Sequence, residues 1–140
     1  MNQILGIDFG RARIGLAISD ELCLLAHPLE TIAANKDSVE RIAEIVRDRK
    51  IKIVVVGIPR NMSGEIGKAA NEALEFANKL RAQLSCAVET WDERLTTVAA
   101  NRALSAAGKK MRQTRKIVDQ VAAQMILQGY LERERNVAAP

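Results

Sequence analysis

Apolar positions in this chain first run together, then alternate, and only later recur every three or four residues. Residues 3–9 are almost wholly apolar up to Asp8 and predict a buried strand, with Gly10-Arg11-Ala12-Arg13 as the turn that follows. Residues 14–19 predict a second strand, apolar at alternate positions and small or apolar between them. After the polar break Asp20-Glu21, a third strand is expected within residues 22–32. Pro28 interrupts it, and because proline cannot donate to a ladder it belongs at an edge or a bulge. Three strands with short breaks make an antiparallel meander.

The period then lengthens. Asp37 stands three residues before Glu40, a capping pattern, and Val39, Ile42, Ala43 and Val46 fall on one helical face. Residues 51–57 are β-branched and nearly continuous, as in a strand covered on both faces. A loop with Pro59 and Gly64 leads to a second helix whose stripe is Ile66, Ala69, Ala70, Ala73, Leu74, Ala77 and Leu80. A short strand near 86–91 and two helices near 95–107 and 113–133, parted by Gly108, complete the chain. The order β-β-β-α-β-α-β-α-α predicts one α/β domain over residues 1–140, with no repeat and no linker. Its mixed sheet should join an antiparallel three-strand meander to two parallel strands, with helices on its faces.

Composition narrows the class. The chain has 140 residues, enough for a single core, and 48% hydrophobic content argues against disorder. No apolar run approaches the roughly 20 residues that span a bilayer, and the first residues lack a signal-peptide pattern, so a cytosolic protein is expected. Cys23 and Cys86 have no metal-type spacing and read as small buried hydrophobes. The net charge is +4, and Lys109, Lys110, Arg112, Arg115 and Lys116 concentrate five positive charges in eight residues. Without them 16 basic residues face 17 acidic ones, so the excess is local, as in a phosphate-binding patch or a solvated helix start.

Three acids are placed to do chemistry. Asp8 ends the apolar first strand, where a buried charge needs a metal, a cation or several N–H donors. Arg11 and Arg13 across the turn are the cations at hand for a purely structural role. Asp92 and Glu93 follow one another at the end of the last strand, so they point to opposite faces and only one can aim at Asp8. The other would pair with Arg94 or support the following helix terminus, where acids are favoured. Asp119 interrupts the stripe of the final helix, with Ala122, Ala123 and Ile126 on its own face and Lys116, Arg115 and Arg112 preceding it there. An intrahelical bridge to Arg115 or Lys116 is the simpler role for it. If Asp8, Glu93 (or Asp92) and Asp119 converge, they offer the oxygen-only ligand set that Mg²⁺ or Mn²⁺ takes, suited to phosphodiester cleavage. The loop at residues 57–64 reads equally as a structural turn or as a substrate loop, and in the second case Arg60 and Asn61 are the side chains that could touch a phosphate. His27, beside Pro28, reads as structural. Asp8-Phe9-Gly10 spells a kinase triplet, but no catalytic-loop motif accompanies it.

The stretches ILGIDFGRARIGLAISD (4–20), VVVGIPRNMSGEIGKAANEALEFANKL (54–80), VETWDERLTTVAANRAL (88–104) and KIVDQVAAQMILQGYL (116–131) occur in an order that resembles the YqgF (RuvX) family. These are bacterial members of the ribonuclease H-like superfamily, described as pre-16S rRNA nucleases or Holliday-junction resolvases. The resemblance implies a ribonuclease H-like five-stranded sheet with helices on both faces, and catalytic metal ligands at Asp8, Glu93 and Asp119. It implies nucleic acid as partner, either pre-rRNA or branched DNA, together with ribosomal assembly components. Arg11, Arg13, Arg60, Asn61, Lys109, Lys110, Arg112, Arg115 and Lys116 are the expected contacts. Ser63 and Lys68 depart from the family, where Asp or Asn and Pro are frequent, and both lie on the substrate-side loop. Resolving a junction symmetrically would need a homodimer, whereas trimming RNA is open to a monomer. Aromatic content of 3% leaves few platforms for stacking bases, so backbone and shape recognition is expected. Two readings from other classes remain: a nucleic-acid-binding module with a vestigial acidic site, and an ATP-binding fold that also opens with Gly-Ile-Asp-Phe-Gly but requires two such domains.

Overall fold

The computed structural model describes residues 3–60, 66–95 and 112–138, with the side chains of the last helix described from Asp119 to Asn136. Strands β1 (Ile4–Phe9), β2 (Arg13–Ser19) and β3 (Ala26–Ala33) form the meander expected of their short connections. Helix α1 (Ser38–Asp48) crosses to β4 (Ile53–Ile58), and helix α2 (Lys68–Gln83) to β5 (Ala87–Asp92). A 3-10 turn (Glu93–Leu95) follows, and helix α3 (Arg112–Ala138) closes the chain. The sheet order is β3-β2-β1-β4-β5, antiparallel through the meander and parallel across β1, β4 and β5. That is the expected mixed sheet. Pro28 lies on the edge strand β3, and the ladder with β2 slips by one residue between Leu16 and Ala17, beside Pro28.

Alternation along the strands divides the core. Leu5, Ile7, Ile14, Leu16, Val54, Val56 and Ile58 point to one face and pack with Ile42 and Ile45 of α1 and Phe76, Ala77 and Leu80 of α2. Ile4, Ala17, Val55 and Trp91 point to the other, against Ala122, Ala123, Ile126, Leu127 and Tyr130 of α3. Trp91 and Tyr130 meet edge to face with ring centroids 6.4 Å apart, and the Tyr130 hydroxyl donates to Glu89 at 2.7 Å. Burial and that bond push the phenol well above its ordinary pKa. Among the described residues no helix is long and apolar enough to cross a membrane.

Several local expectations change. The Asp37 side chain makes no capping bond to α1; Asn35 Oδ1 accepts from the Asp37 N–H, and Ser38 Oγ accepts from the Asn35 N–H and donates to the Ala33 carbonyl. The loop therefore satisfies its own groups. Helix α2 starts at Lys68 behind Gly67, so Ile66 falls outside it and is 45% exposed. Ala69 is exposed as well, and Phe76 takes the buried place the stripe did not include. The helix expected near 95–107 lies outside the described residues except for Leu95, which belongs to the 3-10 turn. Cys23 and Cys86 are half-buried rather than buried, and neither forms a disulfide.

Helix α3 can approach the sheet because glycines line its path. A Cβ at Gly6 would stand 2.7 Å from Leu127 Cβ; one at Gly15 would collide with the Asp119 carbonyl oxygen; one at Gly57 would press into Ile126. At Gly15 the obstacle is helix backbone, which cannot rotate away. Gly15→Ala should therefore lower stability by about 1–3 kcal/mol. In urea the midpoint should fall with little change in slope, as expected when native packing alone is altered.

Candidate active site

Asp8 is the fifth of the six residues of β1, and in space it is the centre of a row. Its register partner on β2 is Gly15, and on β4 Gly57 stands one residue beyond the Ile7–Val56 pair. Asp8, Gly15 and Gly57 share the sheet face that α3 covers. Asp8 is only 6% exposed, deep enough that its charge must be compensated. The row also lies at the carboxyl ends of β1 and β4, where the sheet order runs outward in opposite directions, the usual place for a site in an open α/β sheet.

Each flanking glycine is covered by another acid. Above Gly15 is Asp119, whose Cβ would stand 3.1 Å from a Cβ placed there. Above Gly57 is Glu93, whose Oε2 would stand 3.0 Å from one. Glu93 is 6% exposed at the start of the 3-10 turn, on the same side as Glu89 and Trp91. Asp92 takes the opposite direction. Its carboxylate receives both Nε and Nη2 of Arg94 at 2.6–3.1 Å, and its Oδ1 also accepts the Arg94 N–H at 3.0 Å. The Arg94 side-chain bonds chiefly, then the Arg94 N–H and the fields of Arg94 and Arg60, hold the Asp92 carboxyl below its ordinary pKa against the effect of burial.

Asp119 has a cation of its own. Arg13 Nε donates to Asp119 Oδ2 at 2.9 Å across 106 residues; the Arg115 and Lys116 side chains expected to bridge to it within the helix lie outside the described residues. Arg13 opens β2 two residues before Gly15 and so lies on the same face. Arg11 turns elsewhere, binding Glu72 of α2 through Nε and Nη2 at 2.7–3.1 Å. Asp8, Glu93 and Asp119 thus share one face over adjacent strands. Among the described residues, however, no three acidic, histidine or cysteine side chains stand close enough together to hold an ion. Convergence is to a face, not to a point.

The remaining expected contacts are unevenly placed. Arg60 follows β4 near Asp92, half-buried, with its Nε lacking a hydrogen-bond partner among the described residues. Asn61, Lys109 and Lys110 lie outside the described residues, and Arg112, Arg115 and Lys116 are described only as backbone at the start of α3. Two features escaped the sequence reading. Gly57 makes room for Glu93, and its only signal was a glycine closing a β-branched run. The Arg13–Asp119 pair left no local signal at all.

The family described as RuvX, Holliday junction resolvase, matches residues 2–133. A protein of Acetivibrio thermocellus, provisionally named pre-16S rRNA nuclease, is 45% identical over 139 residues, covering 96% of this chain and 99% of its own. One of Geobacillus kaustophilus, under the same provisional name, is 43% identical over 137 residues, covering 95% and 99%. Among solved structures, T. thermophilus RuvC in complex with Holliday junction substrate superposes with a TM-score of 0.60 at 16% identity, covering 100% of this chain and 99% of that one. The fowlpox virus Holliday junction resolvase does so at 0.51 and 12% identity, covering 94% and 99%. At these identities the two structures establish a shared fold.

The Asp92–Arg94 pair has a pH signature. A carboxyl with a depressed folded pKa adds stability above its unfolded pKa of about 3.9, and that stability is lost as pH falls through the folded value. Arg94→Ala should therefore raise the Asp92 pKa, read by carboxyl-detected NMR titration. The stability gap between the two proteins should be constant near neutrality and close in acid.

Proposed function

Because the chain belongs to the RuvX family, we propose that it is a nuclease that hydrolyses phosphodiester bonds with Mg²⁺ or Mn²⁺, and that its substrate is the 5′ end of pre-16S rRNA. One observation carries this reading: a buried carboxylate at the centre of the sheet, with a glycine on each neighbouring strand and a second and third carboxylate over those glycines. A purely structural acid would not need cleared space on both sides.

The donors suit a hard divalent cation, since all three are carboxylates and no sulfur or imidazole competes. When bound, the metal would supply Lewis acidity toward the phosphate and a water of lowered pKa as nucleophile. The residues of the chain do the rest. Asp8 and Glu93, both nearly sealed from solvent, are held by the sheet and its last turn and offer fixed oxygens. Asp119 brings a third from α3, whose backbone rests on Gly15. Arg112, Arg115 and Lys116 precede Asp119 by seven, four and three residues, so a phosphate backbone drawn to them is led toward the acids. Such contacts read charge and shape rather than base sequence.

A second substrate has a specific claim, because the matching family is described as Holliday junction resolvase. RNA and DNA present the same phosphodiester to these groups, so the distinction belongs to experiment. Purified protein and Asp8→Asn would be given a precursor 16S leader or a four-way DNA junction, in Mg²⁺, Mn²⁺ or EDTA. Cleavage of the leader by the wild type should stop in EDTA and fall at least ~10³-fold in Asp8→Asn, about 4 kcal/mol of transition-state stabilisation, with the folded structure retained. Cutting of the junction alone would transfer the reading to the resolvase. Binding without cutting in any metal would reduce the chain to a nucleic-acid-binding module.

A further inference from the structure

Asp119 meets a cation within hydrogen-bond distance, and that cation, Arg13, is not on its own helix. The contact between Arg13 Nε and Asp119 Oδ2 is 2.9 Å, with the side chains 30% and 18% exposed. Its surroundings restrict how it can rearrange. The Asp119 backbone lies on Gly15 without room for a Cβ between them, so the helix cannot slide to move the carboxylate. Rotation of the side chain is the freedom that remains. Gly15 is the register partner of Asp8, and Arg13 begins the same strand two residues earlier. The carboxylate can therefore turn along β2 toward Arg13 or across the ladder toward Asp8. In this structure it takes the first direction, and among the described residues no ion-holding trio of acids forms.

We infer that Arg13 is a positioning residue: it holds Asp119 aside in the metal-free protein, releases it when a divalent cation binds, and then faces the substrate phosphate. The inference rests on the reading of Asp8, Glu93 and Asp119 as metal ligands. Its physical basis is competition for one carboxylate. A guanidinium stays charged throughout the usable pH range, so Arg13 yields to a stronger competitor and not to deprotonation. Once released, its planar fork suits a phosphate oxygen pair better than an ammonium would. Arg11 cannot take this part, because its Nε and Nη2 are already engaged by Glu72. A bridge that merely braced α3 against β2 would help to present Asp119, and its loss would weaken metal binding. A competing bridge does the reverse.

The test titrates Mn²⁺ into the full chain by calorimetry, comparing wild type, Arg13→Gln, Arg13→Lys and Asp8→Asn, and measures kcat and KM on whichever substrate the wild type cuts. Loss of Mn²⁺ uptake in Asp8→Asn locates the binding at the acids. Arg13→Gln should bind Mn²⁺ about 3- to 10-fold more tightly, while its KM rises several-fold. Arg13→Lys should recover part of the KM and less of the metal competition. Asp8-dependent Mn²⁺ binding that is equal or weaker in Arg13→Gln would overturn the inference and leave the metal site standing. No Mn²⁺ uptake by wild type or Arg13→Gln would overturn the metal site itself and the inference with it.

Discussion

How near the last helix comes to the sheet decides everything on that face. Side chains normally fill the layer between a helix and a sheet, yet at Gly15 a single methyl group would strike the α3 backbone. The small residues are shared between the two surfaces: Gly6, Gly15 and Gly57 below, Ala122 and Ala123 above. Close approach removes water from Asp8 and Glu93, and that is what makes their charges costly and useful at once. It also fixes the backbone of Asp119 directly above β2, so the site inherits its dimensions from packing.

The opposite face is organised by ordinary side-chain volume. There α1 and α2 rest on Leu5, Ile7, Val54, Val56 and Phe76, and Phe9 stacks on Phe76 with ring centroids 4.6 Å apart. Ion pairs such as Arg11–Glu72 lie at its rim, where solvent screens them. The contrast explains why charge is tolerated on one side only as isolated surface pairs and on the other as a set of acids. A scaffold with one well-filled face can sustain a second face whose groups are arranged for a ligand.

The elements that sequence made legible are those with a long, regular signal. The β-branched run of β4 and the alternation of β2 announce themselves, and a carboxylate ending an apolar strand marks Asp8 from its setting alone. That Asp119 lies on the helix face turned to the sheet was legible because small residues share that face. Failures have local causes. Ile66 extended an apolar stripe that Gly67 ends, and Asp37 makes no side-chain cap although its sequence pattern allowed one, while Asn35 and Ser38 bond the backbone of the loop before the helix. Strand alternation said that Asp92 and Glu93 diverge but not which way, because the answer depends on where β5 gives way to the 3-10 turn. The Arg13–Asp119 contact spans 106 residues, and no local pattern encodes it.

The three acids come from the first strand, the turn after the fifth and the final helix, and this order has a consequence for the chain while it is being made. Until α3 has left the ribosome and docked, Ile4, Ala17, Val55 and Trp91 lack their cover and Asp8 has no Asp119 beside it. A partly synthesised or truncated chain therefore carries a sheet with a bare apolar face and an incomplete set of acids. Completion of the fold and the arrival of the third acid on this face are therefore one late event.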